Sequence, residues 1–248
     1  MRCFILGNGP SLNETNLDLL VGEVSFGVNR CDLIYPKTKW RPTYWVCIDR
    51  DFKIPIEQWS EPFLRHYLMG ETCFISPRHM PRLHALPFSE ETWEKWTKAR
   101  CWPTEWQKTI TEMPRFHVLD ACIAEHGTRL GHYEWFPKAW HLPRACRFGG
   151  SIPASIQLAV KMGYKEVYLI GCDLGYVPFG TNHFDADYYE GEYHQEFTEE
   201  WAAYQEEALV YAHKLAAGEC AARGIKILNA GAGGRLEAYP RVRLEDVV

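Results

Sequence analysis

The sequence lacks the features that mark several large classes of protein. No apolar run approaches the ~20 residues that span a bilayer, so we expect no transmembrane segment. The formal net charge is −5 at pH 7, which argues against nucleic acid as a partner because phosphate-backbone binding needs a basic surface. No internal repeat is present. The 248 residues, 46% hydrophobic and 24% charged, fit one α/β domain or a core domain with a sizeable insertion.

Cysteine pairs with the spacing of metal ligands are also missing. The chain has nine cysteines, an odd number, and none of them forms a Cys-x-x-Cys pair. Cys3, Cys47, Cys73 and Cys172 each lie in an apolar run that predicts a buried strand, where a free thiol acts as a small hydrophobe. We therefore predict reduced thiols, no zinc site and a cytoplasmic location.

A glycine-rich turn follows the first apolar run. The run Cys3-Phe4-Ile5-Leu6 predicts a short strand, and Gly7-Asn8-Gly9-Pro10-Ser11-Leu12 comes directly after it. The turn is neither a Gly-x-Gly-x-x-Gly motif nor a Walker loop with Lys-Ser/Thr. Small residues at such a turn let the backbone approach a phosphate. A tight βα turn that binds nothing fits the same residues.

Short apolar runs with polar residues at their carboxyl ends recur along the chain, which is typical of a parallel sheet. Periodicity predicts helices over residues 13–20, 151–162 and 196–223, with Ser151 as an N-cap and with Gly163 and Gly224 as stops. The predicted fold class is α/β, with a Rossmann-like, mostly parallel sheet and helices on both faces. The predicted strands are 3–6, 24–28, 44–48, 72–75, 166–171 and 225–228.

Residues 81–143 interrupt this alternation. Neither strand alternation nor a long helical period is present there, and a structureless loop of this length would be unusual. We predict a single Rossmann-like domain, 1–248, in which 81–143 forms an inserted aromatic-rich subdomain or lid. This segment could form a second small core. Alternatively, it could form a wall that binds the acceptor, since aromatic faces suit sugars and bases. Six of the ten tryptophans lie in it: Trp93, Trp96, Trp102, Trp106, Trp135 and Trp140.

Four predicted strand ends place polar side chains on one edge of the sheet. Doubly wound sheets bind ligands at this carboxyl edge, although turn chemistry alone also favours Asn and Asp there. Glycine-rich turns at 7–11 and 229–234 adjoin the same edge. The four polar residues are Asn8, Asn29, Asp49 and Asp173.

The polar loop over 177–194 supplies the candidates for acid–base chemistry. His183 has Asp185 and Asp187 close by in sequence, and these carboxylates could raise its basicity, as a general base requires. A solvated loop histidine is the simpler interpretation. His194 is the second candidate for the base.

Phosphate could be held in two ways. Tyrosine hydroxyls could bind it without a metal, with Arg147 adding charge ahead of a helix start. Alternatively, carboxylates could hold magnesium for transfer from a nucleoside triphosphate. The tyrosines are Tyr176, Tyr188 and Tyr189, and the carboxylates are Asp49, Asp51, Asp173, Asp185 and Asp187.

Three stretches resemble the bacterial sialyltransferases with a modified Rossmann fold: the turn 7–12, Asn29 after the second strand, and the block 163–173. The resemblance extends to a wider superfamily that contains the archaeal 6-hydroxymethylpterin pyrophosphokinases. Segments similar to Asn182-His183-Phe184 and to 229–237 occur in that superfamily. It covers residues 1–50 and 145–243 and leaves out the tryptophan-rich segment.

For the sialyltransferases, the resemblance implies a CMP-sugar donor, inversion at the anomeric carbon, a histidine base, tyrosines on the departing phosphate and no metal. By position, Asn8 and Asn29 match asparagines that contact the nucleotide-sugar. Arg147 matches an arginine ahead of the late helix, and Gly150–Ser151 matches the donor-binding turn. Tyr176 is one place away from a phosphate-binding tyrosine.

We therefore predict a glycosyltransferase that moves a sugar from a CMP-sugar to a glycan acceptor without a required cofactor. A magnesium-dependent pyrophosphokinase that acts on a pterin-like substrate with ATP is the alternative, as is a non-catalytic nucleotide-binding protein. Peripheral membrane association and homo-oligomerisation stay open. The predicted catalytic residues are His183, Arg147, Tyr176 and Tyr188, and the predicted nucleotide-binding residues are Gly7, Asn8, Gly9, Ser11, Asn29, Gly150, Ser151 and Asp173.

Overall fold

The structure is a computed structural model that describes residues 1–47, 72–75, 116–118, 140, 150–175, 182–186, 188 and 198–248. At 72–75, 116–118, 201 and 204 it describes the backbone alone. Most of 81–143 lies outside these ranges, so the predicted division of the domain stays a prediction. Several candidate residues also lie outside them: Asp49, Asp51, Arg147, Tyr176, Asp187, Tyr189 and His194.

Within the described residues, seven parallel strands form one sheet in the order β5-β4-β3-β2-β1-β6-β7. This arrangement confirms the predicted Rossmann-like α/β class. β5 lies inside the stretch 81–143, where the sequence pattern predicted no strand. The strands are β1 (Arg2–Leu6), β2 (Ser25–Val28), β3 (Tyr44–Cys47), β4 (Thr72–Ile75), β5 (Phe116–Val118), β6 (Glu166–Ile170) and β7 (Lys226–Asn229).

β1 lies where the strand order reverses. Its residue Leu6 pairs with Gly27 of β2 on one side and with Ile170 of β6 on the other. The chain builds outward from β1 to β5 and then returns to place β6 beside β1. Because a crevice opens at the carboxyl ends of the strands at such a reversal, the loops after β1 and β6 are the natural walls of a site.

Each face of β1 contributes to a different hydrophobic core. Phe4 and Leu6 point into one core and Cys3 and Ile5 into the other, as strand alternation requires. The second core is covered by α1 (Ser151–Lys161) and α2 (Glu199–Ala222). The first is covered by short 3-10 helices instead. Cys3, Cys31, Cys47, Cys172 and Cys220 are buried, and none of these described cysteines is in a disulfide.

The prediction of one helix over 13–20 is wrong. The chain forms two 3-10 helices there, Pro10–Glu14 and Leu17–Leu20, separated by extended backbone at Thr15. The Asn16 side chain accepts a hydrogen bond from the Asp18 amide at 3.2 Å. Such a local bond competes with continuous helical bonding, which is the physical reason for the break.

Both α-helices end at the glycines that the sequence predicted. Gly163 and Gly224 have φ values of +89° and +65°. After each glycine, the next amide bonds back to the carbonyl five residues earlier: Tyr164 to Ala159 at 3.1 Å and Ile225 to Cys220 at 2.9 Å. This is the Schellman motif, which favours glycine because the left-handed conformation is strained for other residues. No helix of the described residues is long and apolar enough to cross a bilayer.

Two glycines of the α2 region provide a matched test of backbone energetics. A Cβ atom at either Gly218 or Gly224 would meet no atom within 4 Å, but Gly218 is inside the helix and Gly224 has a positive φ. We expect Gly218→Ala to raise the free energy of unfolding by about 0.5–1 kcal/mol. Gly224→Ala should lower it by about 1–2 kcal/mol. Urea unfolding of both variants measures this, and equal shifts in the same direction would contradict the helix end described above.

Candidate functional site

The turn after β1 is hydrogen-bonded to the loop after β6. The amides of Gly7 and Gly9 donate to the carbonyls of Ile170 and Gly171, both at 2.8 Å. The Ser11 amide donates to Asp173 Oδ2 at 2.8 Å, and Ser11 Oγ donates to Asp173 Oδ1. Both oxygens of the half-buried Asp173 carboxylate are therefore engaged within the protein. Its predicted contact with a nucleotide stays a prediction.

The glycines of this turn are required by that close approach. A Cβ on Gly7 would lie 2.4 Å from the Gly171 oxygen, and one on Gly9 would lie 2.5 Å from Asp173 Oδ2. Real Cβ atoms do not approach other atoms so closely, so larger residues would push the two loops apart. The tight-turn interpretation is thus sufficient to explain both glycines. Their contact with phosphate stays a prediction.

Asn8 connects β1, β2 and the loop around His183. Its side-chain Nδ2 donates to the Val28 carbonyl at 2.9 Å and to Tyr188 Oη at 2.7 Å. Its backbone carbonyl accepts from the Phe184 amide at 2.9 Å. The side chain is buried, and within the described part of the chain its Oδ1 has no hydrogen-bond partner.

His183 and Tyr188 form a stacked pair at this edge. Their ring centroids are 3.7 Å apart and their planes are inclined by 18°. Tyr188 is buried, and its carbonyl accepts from Arg30 Nη1 at 3.2 Å. The structure therefore brings two of the predicted catalytic residues together with Asn8.

Burial controls the protonation of His183. It lowers the pKa of the imidazole to about 4, against an opposing hydrogen bond with the Asn8 backbone. The sequence predicts that Asp185 and Asp187 raise the basicity of His183, but the net shift is downward because burial is the largest effect. The ring is neutral at pH 7, so its lone pair is free of a proton, but it is a weaker base than a solvated histidine.

Asn29 and the start of α1 come together at the end of β2. Asn29 has φ +46°, a left-handed conformation that asparagine tolerates better than most residues. Trp45 Nε1 donates to its carbonyl at 2.7 Å, and Ser151 Oγ lies 3.4 Å from its Oδ1. The N-cap of α1 is Gly150, one residue before the predicted Ser151, because Ser151 is already helical.

The loop after β7, residues 230–236, reaches the same edge, where the sequence placed the second glycine turn. We call it the β7 loop. A Cβ on Gly233 would lie 3.3 Å from Ser11 Cβ, and one on Gly234 would lie 2.3 Å from Asp173 Cα. The Asn229 side chain fixes the start and end of the loop: its Nδ2 donates to the Leu236 carbonyl and its Oδ1 accepts from the Gly231 amide, both at 3.0 Å.

Sequence reasoning missed two residues that anchor the His183 loop. Asn13 Nδ2 donates to the Phe184 carbonyl at 2.7 Å. Arg30 is buried and holds the Tyr188 carbonyl. The sequence signal for Arg30 is its position directly after Asn29 at a predicted strand end, on the edge of the sheet where ligands bind. Nothing local distinguishes Asn13, whose partner is 171 residues away.

The magnesium alternative is not tested by the described residues. Among them, no group of three or more His, Cys, Asp or Glu side chains lies close enough to hold a metal ion. Three of the five aspartates that the alternative invokes, Asp49, Asp51 and Asp187, are outside the described ranges.

Comparison with known proteins assigns the fold. The sequence matches no family model and no curated protein. The structure is similar to the monofunctional α-2,3-sialyltransferase Cst-I from Campylobacter jejuni, with a TM-score of 0.50 and 16% identity over 97% of this chain and 79% of that one. Sialyltransferase CstII from Campylobacter jejuni, solved with the substrate analogue cytidine-5′-monophosphate, has a TM-score of 0.49 and 15% identity over 97% of this chain and 84% of that one. The likeness to Cst-I assigns a bacterial sialyltransferase-like fold to this chain, as the resemblance predicted.

The Asp173–Ser11 contact predicts a measurable coupling. Asp173→Asn removes the negative charge from both hydrogen bonds and leaves one acceptor oxygen in place of two, so we expect the free energy of unfolding to fall by about 1–3 kcal/mol. Ser11→Ala should lose much of its own effect in the Asp173→Asn background, with a coupling energy above about 0.5 kcal/mol in a double-mutant cycle. Asp246→Asn, on an exposed carboxylate, is the control. Additive effects would show that the two side chains do not interact.

Proposed function

We propose that the protein is a glycosyltransferase that transfers a sugar from a CMP-sugar donor to a glycan acceptor. The observation that supports this most is the convergence of Asn8, Asn29 with Ser151, and the His183–Tyr188 pair at the carboxyl ends of β1 and β2. The family resemblance assigns Asn8, Asn29 and the Gly150–Ser151 turn to donor binding, and His183 and Tyr188 are the catalytic candidates from the polar loop after β6. They lie beside the strand reversal, where sheets of this type bind nucleotides.

In the proposed reaction, His183 removes the proton of the acceptor hydroxyl as the oxygen attacks the anomeric carbon of the donor. The new C–O bond forms on the face opposite the phosphate, the bond from the sugar to the phosphate oxygen breaks, and CMP leaves. A base must be unprotonated to act, and burial keeps His183 neutral at physiological pH.

Tyr188 has two tasks in this proposal. Its ring stacks on the His183 imidazole and so limits the orientations that the base adopts. Its hydroxyl, held by Asn8 Nδ2 at 2.7 Å, lies at the edge where the departing phosphate would be. Tyr176, one place away from a phosphate-binding tyrosine of the family, and the positively charged Arg147 are the further phosphate partners in this proposal.

Thermal unfolding with nucleotides tests the donor class. We expect CMP to raise the melting temperature without magnesium. At a concentration about one hundred times Kd the stabilisation should be ~2.7 kcal/mol, or about 5–10 °C for a chain of this size. UMP is the matched control for the base. A response only to ATP with magnesium would favour the pyrophosphokinase and contradict this proposal, while CMP binding without any transfer to glycan acceptors would favour the non-catalytic alternative.

The pH dependence of kcat/KM tests the base. Because the pKa of His183 is lowered to about 4, activity should stay level as the pH falls from 7 to 5.5. A solvated histidine with a pKa of about 6.5 would be mostly protonated at that pH. His183→Ala should lower kcat/KM by about 10²–10⁴-fold and leave CMP binding in place.

His194→Ala is the comparison variant, since His194 is the other candidate for the base. It should turn over at nearly the rate of the parent. A His183→Ala protein with full activity would show that His183 is not the base. A loss of activity centred near pH 6.5 that disappears in His194→Ala would assign the base to His194 instead.

A further inference from the structure

Arg241 donates hydrogen bonds to three carbonyl oxygens of the β7 loop. Its Nη1 donates to the Gly231 oxygen at 3.3 Å, and its Nη2 donates to the oxygens of Gly233 and Gly234 at 3.1 Å and 2.7 Å. The Arg241 side chain is exposed, so these hydrogen bonds form at the surface of the loop. A guanidinium satisfies several acceptors at once because its five N–H groups form a rigid planar fork.

The backbone that carries Arg241 is itself fixed. On either side of it, the Pro240 carbonyl accepts from the Asn229 amide at 2.8 Å and the Val242 amide donates to the Asn229 carbonyl at 3.0 Å. Next to Pro240, the Tyr239 hydroxyl is buried against α2, where it donates to the His213 carbonyl at 3.1 Å. The guanidinium therefore projects from a rigid segment onto a glycine-rich loop that has much conformational freedom to lose.

The far end of the loop touches the candidate site. Gly234 has φ +83° and packs so closely on Asp173 that a side chain would not fit. The Arg235 amide donates to the Asp173 carbonyl. The Asp173 carboxylate in turn binds the amide and hydroxyl of Ser11. A continuous path of hydrogen bonds and packing thus runs from Arg241 through the β7 loop and Asp173 to the glycine turn after β1.

We propose that Arg241 is a positioning residue of the candidate site, which fixes the β7 loop and, through Asp173 and Ser11, the glycine turn that holds the donor nucleotide. The identity of the ligand rests on the function proposed above. The mechanical coupling of Arg241 to Ser11 does not depend on it.

Hydrogen exchange of the full chain tests the coupling. In Arg241→Ala, we expect exchange to become about tenfold faster both in residues 230–236 and at the Ser11 amide, because each loses part of its hydrogen-bonded support. Amides of β2 should be unchanged, since they report global opening. Arg241→Lys, which keeps the charge but not the fork, should restore part of the protection. Should Arg241→Ala not fold, Arg241→Gln takes its place with the same readouts.

Arg243→Ala is the matched control, because Arg243 is exposed, as Arg241 is, but its ion pair is with Glu245 at 3.6 Å and not with the β7 loop. It should exchange like the parent. Faster exchange confined to 230–236, or an equal effect of Arg243→Ala, would overturn the coupling.

CMP titration calorimetry provides the second readout. We expect Arg241→Ala to weaken CMP binding about tenfold and Arg243→Ala to leave the Kd unchanged. Affinity equal to the parent in a variant with faster Ser11 exchange would overturn the role in ligand binding. A parent protein that does not bind CMP at all would refute the proposed function, and the exchange experiment would still decide whether Arg241 positions Ser11.

Discussion

The hydrogen bonds between Asp173 and Ser11 are the contact on which the candidate site depends. They join two loops that are 162 residues apart in sequence and adjacent in space because β1 and β6 are neighbours. Glycine is required at positions 7, 9 and 234 around this contact, since each of these residues lies too close to the β6 loop to carry a Cβ atom. One charged group thus holds the turn after β1, the loop after β6 and the β7 loop together, and a hydrogen bond to such a group is worth about 1.5–3 kcal/mol.

Burial of His183 has opposite consequences for stability and for reactivity. The folded-state pKa, about 4, lies below the value of about 6.5 in the unfolded chain. As the pH falls from 6.5 to 4, the unfolded state binds the proton first, so the contribution of this residue to stability declines over that range. For the base role proposed above, the same shift leaves the ring unprotonated at physiological pH but lowers its proton affinity. The stack on Tyr188 and the hydrogen bond to the Asn8 backbone place this neutral ring beside the strand ends.

The parts of the fold that the sequence predicted are those with local causes. Fully buried parallel strands such as β1 and β6 appear as continuous apolar runs, and Gly163 and Gly224 mark helix ends because of their backbone conformation. β5 was missed because three residues are too few to show a period, and the helix over 13–20 failed because an Asn16 side-chain bond interrupts it. The structural roles of Asp173 and Arg241 could not be predicted from the sequence, for another reason. Their partners are a distant serine and backbone carbonyls, and neither leaves a pattern in the neighbouring residues.

Asn8 is therefore a stronger argument for a ligand site than the glycines of the turn are. Packing between strand ends accounts for Gly7 and Gly9 completely, so a glycine motif at this turn would be needed even in a protein that binds nothing. Packing does not account for Asn8 in the same way. The fold uses both donor hydrogens of its amide, on Val28 and Tyr188, and leaves the acceptor Oδ1 buried without a partner in the described chain. A buried unsatisfied acceptor costs about 1–3 kcal/mol, and a ligand that supplies a donor at this edge would offset that cost.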